Sequence, residues 1–192
     1  MHYGKINTHD VANGPGVRVS LFVSGCSLHC KGCFNEETWD FGYGEEFTAD
    51  SINKILMAMS KDYIEGLTIL GGDPFEPENI STVCAICSVV KTAYPEKTIW
   101  IYTGRTKEYL IDQINKASIE FLSGGYGNGM NKEIINYGQD IQFILETIDV
   151  LVEGPFIEAL KDITLRFKGS SNQRILKVTH MGRSNFKFEQ IG

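Results

Sequence analysis

Val17-Arg18-Val19-Ser20-Leu21-Phe22-Val23-Ser24-Gly25-Cys26-Ser27-Leu28-His29-Cys30-Lys31-Gly32-Cys33 is an apolar, β-branched run that breaks into a loop carrying three cysteines. Residues 17–24 read as a buried strand. The C-x3-C-x2-C spacing puts three thiolates within reach of one inorganic cluster and supplies no fourth. A [4Fe–4S] cube normally takes four cysteines, so a cube on Cys26, Cys30 and Cys33 leaves one iron open to a ligand. An open position on a metal points to chemistry and not to scaffolding. Structural zinc is the competing reading, but it wants four ligands. His29 is the nearby candidate, and it immediately precedes Cys30, which is awkward for joint ligation of one ion.

Working outward, the chain alternates strands with helices. Thr48 and Asp50 are plausible caps for a helix with Ile52, Ile55, Leu56 and Met59 on one face. Residues 67–70 are a short apolar strand ending at Gly71-Gly72-Asp73-Pro74. A helix over 77–93, a strand over 98–103, a helix near 107–114 and a strand over 149–153 follow. This alternation implies parallel βαβ units with a site at the carboxyl ends of the strands. Both the cysteine loop and Gly-Gly-Asp-Pro occupy such ends, and an open, partial α/β barrel would bring them together. Residues 115–146 form an extra segment around the glycine-rich SGGYGNGM (123–130), read as a flexible linker between two helices.

Composition narrows the partners. The 192 residues suit one domain, 1–192, with a full core. A formal net charge of -6 argues against nucleic acid as the main partner. No apolar run approaches the roughly 18 to 20 residues that span a membrane, and the first residues lack the apolar stretch of a secretory signal. Five cysteines, three of them within eight residues, make poor disulfide arithmetic and good metal arithmetic. A reduced, cytoplasmic protein is expected. Cys84 and Cys87 invite a second cluster, yet they share one apolar helical stripe with Ile80, Val83 and Val90, where cysteine behaves as a small buried hydrophobe. His2, His9, His29 and His180 show no ligand spacing, and no phosphate-loop or Gly-x-Ser-x-Gly pattern occurs.

The run Asn13-Gly14-Pro15-Gly16-Val17-Arg18, then Phe22 and Gly25, the cysteines, Phe34-Asn35 and Thr38-Trp39 resembles the signature of radical S-adenosylmethionine activases of glycyl radical enzymes. NGPGVRVSLFVSGC, CFNEETW, GGDPF, IWIYTG and KGSSNQR are similar, more narrowly, to the family that activates anaerobic ribonucleoside-triphosphate reductase. The matches run from Asn13 to Arg174. Gly32 stands where many radical S-adenosylmethionine enzymes carry an aromatic residue, and Asp73 where a Glu is common; the narrow family shares the first departure.

The resemblance implies a single-domain partial (β/α) barrel of the radical SAM type, with one [4Fe–4S] cluster on Cys26, Cys30 and Cys33 and S-adenosylmethionine on its open iron. Gly71, Gly72 and Asp73 would meet the methionine moiety: the glycines by letting backbone approach, the carboxylate by satisfying the ammonium. Gly32, Cys33 and Phe34 would line the adenosyl side, with core packing the other reading of Phe34. For Arg18 an internal salt bridge and a role with substrate both stand. Asn35 and Trp39 order the loop. Lys168 to Val178 is either a last strand or a docking element. The implied partners are the glycyl radical subunit of the anaerobic reductase and an electron donor such as flavodoxin. Other enzyme readings are an activase of another glycyl radical enzyme, or a radical SAM enzyme on a small molecule, such as a deazaguanine synthase. A plain electron carrier or zinc module is the non-enzymatic one.

Overall fold

A computed structural model describes residues 1–123, 130–182 and 185–191. In chain order its elements are β1 (His2–Asp10), β2 (Val17–Val23), β3 (Glu45–Glu46), α1 (Ala49–Met59), β4 (Ile64–Gly71), α2 (Pro77–Ala93), β5 (Thr98–Thr103), α3 (Lys107–Ser123), α4 (Lys132–Thr147), β6 (Val150–Glu153), β7 (Arg174–His180) and β8 (Phe186–Gln190). The strands make one mixed sheet in the order β3-β1-β2-β4-β5-β6-β7-β8. β2, β4, β5 and β6 run parallel, and the flanking pairs are antiparallel. A parallel neighbour requires a helical crossover, and α1, α2 and the α3–α4 pair supply the three that are needed.

Strand periodicity divides the sheet into two unlike faces. Val19, Leu21, Val23, Leu67, Ile69, Ile99, Ile101 and Leu151 pack in one cluster with residues of all four helices, among them Ile55, Val83, Leu110 and Ile144. The opposite face carries Arg18, Ser20, Phe22, Thr68, Leu70, Trp100 and Tyr102. Trp100, Val150, Val152 and Ile175 form a smaller apolar cluster there, against Tyr102 and Phe167.

Two expectations need correction. Residues 115–146 are not a linker. α3 continues to Ser123, and α4 inserts Ile135, Ile141, Ile144 and Leu145 into the core. Asn131 caps α4 by accepting from the backbone N–H groups of Glu133 and Ile134 at 3.1 and 3.3 Å, and Gly138 lets it approach Ala117 of α3 closely. The glycine-rich residues between these helices, 124–129, lie outside the described residues. Among the described residues Arg18 makes no internal salt bridge; its donors go to uncharged groups. Fully buried, it donates to Thr68 Oγ1 (2.7 Å), Thr98 Oγ1 (2.9 Å), the Leu67 carbonyl (2.8 Å) and the Thr98 carbonyl (3.1 Å). Its guanidinium also lies over Trp100, 5.5 Å from the ring centroid. Burial lowers its pKa to about 10, so it stays charged at neutral pH. The Asn-Gly-Pro-Gly stretch folds over it: a Cβ on Gly14, whose φ is +138°, would stand 2.7 Å from Arg18 Cδ.

Candidate functional site

β2 and β4 end in register, Val23 opposite Gly71, so the cysteine loop and the Gly-Gly-Asp-Pro turn leave the sheet side by side. The backbone N–H groups of Gly72 and Asp73 donate to the carbonyls of Val23 and Gly25 at 2.7 and 2.8 Å. The two glycines are required by this contact. A Cβ on Gly71 would lie 2.7 Å from the Val23 carbonyl oxygen, and one on Gly72 would lie 2.4 Å from that of Gly25. The two glycines thus make room for the neighbouring loop, and both also line the cavity described below.

Residues after the third cysteine hold the loop from its other side. Gly25 and Cys26 donate backbone N–H groups to the carbonyls of Thr38 and Trp39 at 2.8 and 3.1 Å. The Trp39 ring stacks on His29 with centroids 4.7 Å apart, and the Asn35 N–H points at Cys33 Sγ at 3.4 Å. Asn35 and Trp39 thus order the loop.

A web of charge joins loop and turn. Ser27 donates from both N–H and hydroxyl to Glu76 Oε1 (2.8 and 2.7 Å). Arg105 Nη2 pairs with the same oxygen at 2.9 Å, while its Nε stands 3.9 Å from Asp73 Oδ2. Asp73 is wholly engaged by the chain itself: Phe75 N–H and the Thr103 hydroxyl donate at 2.9 Å, and Gly104 N–H at 3.3 Å. Burial pushes its carboxyl up to about 6. Glu76 and Arg105 were not singled out from the sequence, since no spacing signals a pair brought together from two different strand ends.

Loop and turn open on a cavity of ≈ 580 Å³ over the inner face of the sheet. Of the expected site residues, Cys26, Cys30, Cys33, Phe34, Gly71, Gly72 and Asp73 line it. Gly32 does not; it is exposed and turned toward Glu158. Phe34 is not core either. It is 59% exposed, edge-on to Phe156 at 5.3 Å and beneath Lys161 Nζ at 4.7 Å. The KGSSNQR stretch completes the wall. Gln173 accepts from the N–H groups of Gly169 and Ser170 and donates to the Gly154 carbonyl, and the strand proper begins only at Arg174.

The donor set suits an iron–sulfur cube. Three free thiols from one loop face a shared cavity, and burial raises Cys26 to about 11 and Cys30 upward, so loading must release protons. Among the described residues no three His, Cys, Asp or Glu side chains converge on one metal ion. Thiolates sharing a single zinc, with bonds of about 2.3 Å, would sit about 3.8 Å apart; in a cube each thiolate holds a separate iron. Cys84 and Cys87 lie away from the cavity, Cys87 fully buried and Cys84 pointing its Sγ at the Asp140 carbonyl at 3.3 Å.

Comparison with known proteins agrees with this geometry. Residues 12–176 match the family model described as a 4Fe-4S single cluster domain. A Vibrio cholerae anaerobic ribonucleoside-triphosphate reductase-activating protein is 37% identical over 181 residues, covering 93% of this chain and 99% of that protein. This chain belongs to that family. Salmonella typhimurium and Escherichia coli members are 34% and 33% identical, each match covering 90% of this chain and 96% of theirs. No helix among the described residues is long and apolar enough to cross a membrane.

Proposed function

We propose that this chain activates anaerobic ribonucleoside-triphosphate reductase by placing a glycyl radical on it. The observation that carries the reading is the convergence of three unpaired cysteines and the Gly-Gly-Asp-Pro strand end on one open cavity. Cys26, Cys30 and Cys33 would hold a [4Fe–4S] cluster there, which when reduced would supply the electron for cleavage of S-adenosylmethionine and so the means of taking a hydrogen atom from a glycine of the reductase.

The protein's part is to hold, orient and exclude water. Cys26, Cys30 and Cys33 hold the cluster. Strand-end backbone at Gly71 and Gly72 faces the methionine end, and Asp73 acts by fixing that turn. Cys33 and Phe34 border the adenosyl side, with Gly32 setting the turn between them and Lys31. No side chain is asked to act as general acid or base. We read the sheet as an open partial barrel of the radical SAM type, its helices outside and the cavity within, in one domain over 1–192. The electron donor is a flavodoxin-like protein, and the setting is the cytoplasm.

The test is anaerobic reconstitution, reduction and addition of S-adenosylmethionine with an anaerobic ribonucleotide reductase, read by electron spin resonance. A glycyl radical on the reductase, and little on formate lyase, is the expected result. A radical on formate lyase and none on the reductase overturns the narrow assignment. Turnover of a small molecule without any glycyl radical overturns the activase reading altogether.

A further inference from the structure

Three loops meet at one oxygen beside the cavity. Glu76 Oε1 accepts from the N–H and hydroxyl of Ser27, beyond the end of β2, and from Arg105 Nη2, beyond the end of β5. Glu76 itself follows β4. One carboxylate thus ties together the ends of the three parallel strands that carry the site, and it is almost wholly buried.

The side chain has no duty in its own helix. Glu76 is the N-cap residue of α2, a position whose side chain ordinarily accepts from the first helical turn. Here it makes no such bond. The Glu76 carbonyl alone receives the N–H groups of Asn79 and Ile80, both at 2.9 Å. Pro77 at the start of the helix has no N–H to satisfy. The carboxylate instead crosses to the cysteine loop, and Arg105 keeps it there. That arginine is enclosed: its side chain is 13% exposed, lies over the Tyr109 ring at 5.1 Å, and also faces Asp73.

The cysteine loop needs such a hold. His29 has a φ of +44°, a left-handed backbone that a residue other than glycine adopts only when its surroundings impose it. Of residues 27–29, Ser27 alone is hydrogen-bonded outside the loop among the described residues, and both bonds go to Glu76. Ser27 adjoins Cys26 and precedes Cys30 by three residues, so where it is held sets how the first two thiols enter the cavity. Three thiolates on one loop must meet three irons of a rigid cube together, which favours a loop already in shape.

On the reading that Cys26, Cys30 and Cys33 hold the cluster, we infer that Glu76 is a positioning residue for it. Fixed by Arg105, its carboxylate holds the cysteine loop through Ser27 in the shape that receives the metal. The experiment follows iron release from anaerobically reconstituted protein to an excess of a ferrous chelator. Glu76→Ala should release iron about tenfold faster than wild type, the scale on which loss of an outer partner of a metal site is felt. Glu76→Gln keeps an oxygen acceptor for Ser27 and should stay within about twofold of wild type. Ile69→Ala, a destabilised control from the helix side of the sheet, should also release iron near the wild-type rate.

Release from Glu76→Ala at the wild-type rate overturns the inference. A glutamine variant as fast as the alanine one overturns it too, since the retained acceptor would then hold nothing. Equal acceleration in Ile69→Ala does the same, by reducing the effect to general loss of stability. Should Glu76→Ala fail to fold, Ser27→Ala removes only the hydroxyl bond from an exposed loop residue and should release iron about threefold faster; an unchanged rate there is equally fatal. Wild type that takes up no cluster sinks the underlying reading, a result no comparison among variants can mimic.

Discussion

The two faces of the sheet are built from alternate residues of the same strands and obey different rules. On the helix side, Val19, Leu21, Leu67, Ile69, Ile99 and Ile101 are all fully buried among aliphatic neighbours. On the inner side the same strands carry Arg18, Ser20, Thr68 and Tyr102, and the face ends in a cavity. One face supplies stability through close packing, while the other gives up packing to hold polar groups and space. A single-residue step along a strand therefore changes what a substitution should do.

The strongest test of this division is at the cavity mouth. Alanine at Cys26, Cys30 or Cys33 should take anaerobically reconstituted protein from about four irons per chain, the content of one cube, to almost none. Circular dichroism of the apoprotein should stay that of wild type, because these thiols line space and not core. Collapse of the fold in any of the three would erase the distinction between the faces.

Neighbouring residues of β4 give a graded comparison. Ile69→Ala, on the helix side, should cost about 3–5 kcal/mol in urea unfolding, and Leu70→Ala, bordering the cavity, about 2 kcal/mol, because its surroundings are already partly open. Equal costs would mean that the inner face is packed as tightly as the outer.

Asp73 extends the comparison to pH. Burial pushes its carboxyl up to about 6, so between about pH 4 and 6 the folded chain holds a proton that the unfolded chain has released. The folded state then binds more protons, and stability falls as pH rises through that window, by at most about 3 kcal/mol. Asp73→Asn should flatten this slope in the apoprotein. A slope left unchanged would show that Thr103 and Arg105 keep the carboxylate ionised throughout. The smallest effect belongs to the outer face again: replacing Cys84 and Cys87 together with alanine should leave the iron content unaltered. Loss of iron there would place a second cluster where only a buried stripe is described.

The parallel strands and their helices were legible because each has one strong period: β2, β4 and β5 as apolar runs, α1 and α2 as apolar stripes. β1 was not, since His2–Asp10 alternates between polar residues and buries only Tyr3, Ile6 and Asp10. α4 was obscured by the glycines before it, although Asn131 and the spacing of Ile135, Ile141, Ile144 and Leu145 were there to be read. At the site, the cysteine spacing pointed to a cluster loop from local sequence alone, and the structure turns those three thiols toward one cavity. The loop contacts of Gly71 and Gly72 and the chain partners of Asp73 were not legible, because the groups that crowd them, Val23, Gly25 and Thr103, arrive from other strands. Glu76 and Arg105 depend on the same long-range assembly.

Arg18 carries a consequence for how the molecule folds. Its guanidinium starts on β2 and finds its acceptors on β4 and β5, two of the four contributed by Thr98 alone. A nascent sheet of β2 and β4 would bury this cation half-satisfied, at a cost of several kcal/mol. The first two parallel strands therefore gain little by closing before the third arrives. A chain released short of Thr98 should show no cooperative unfolding transition, and assembly of the three strands that carry the site should occur as a single event.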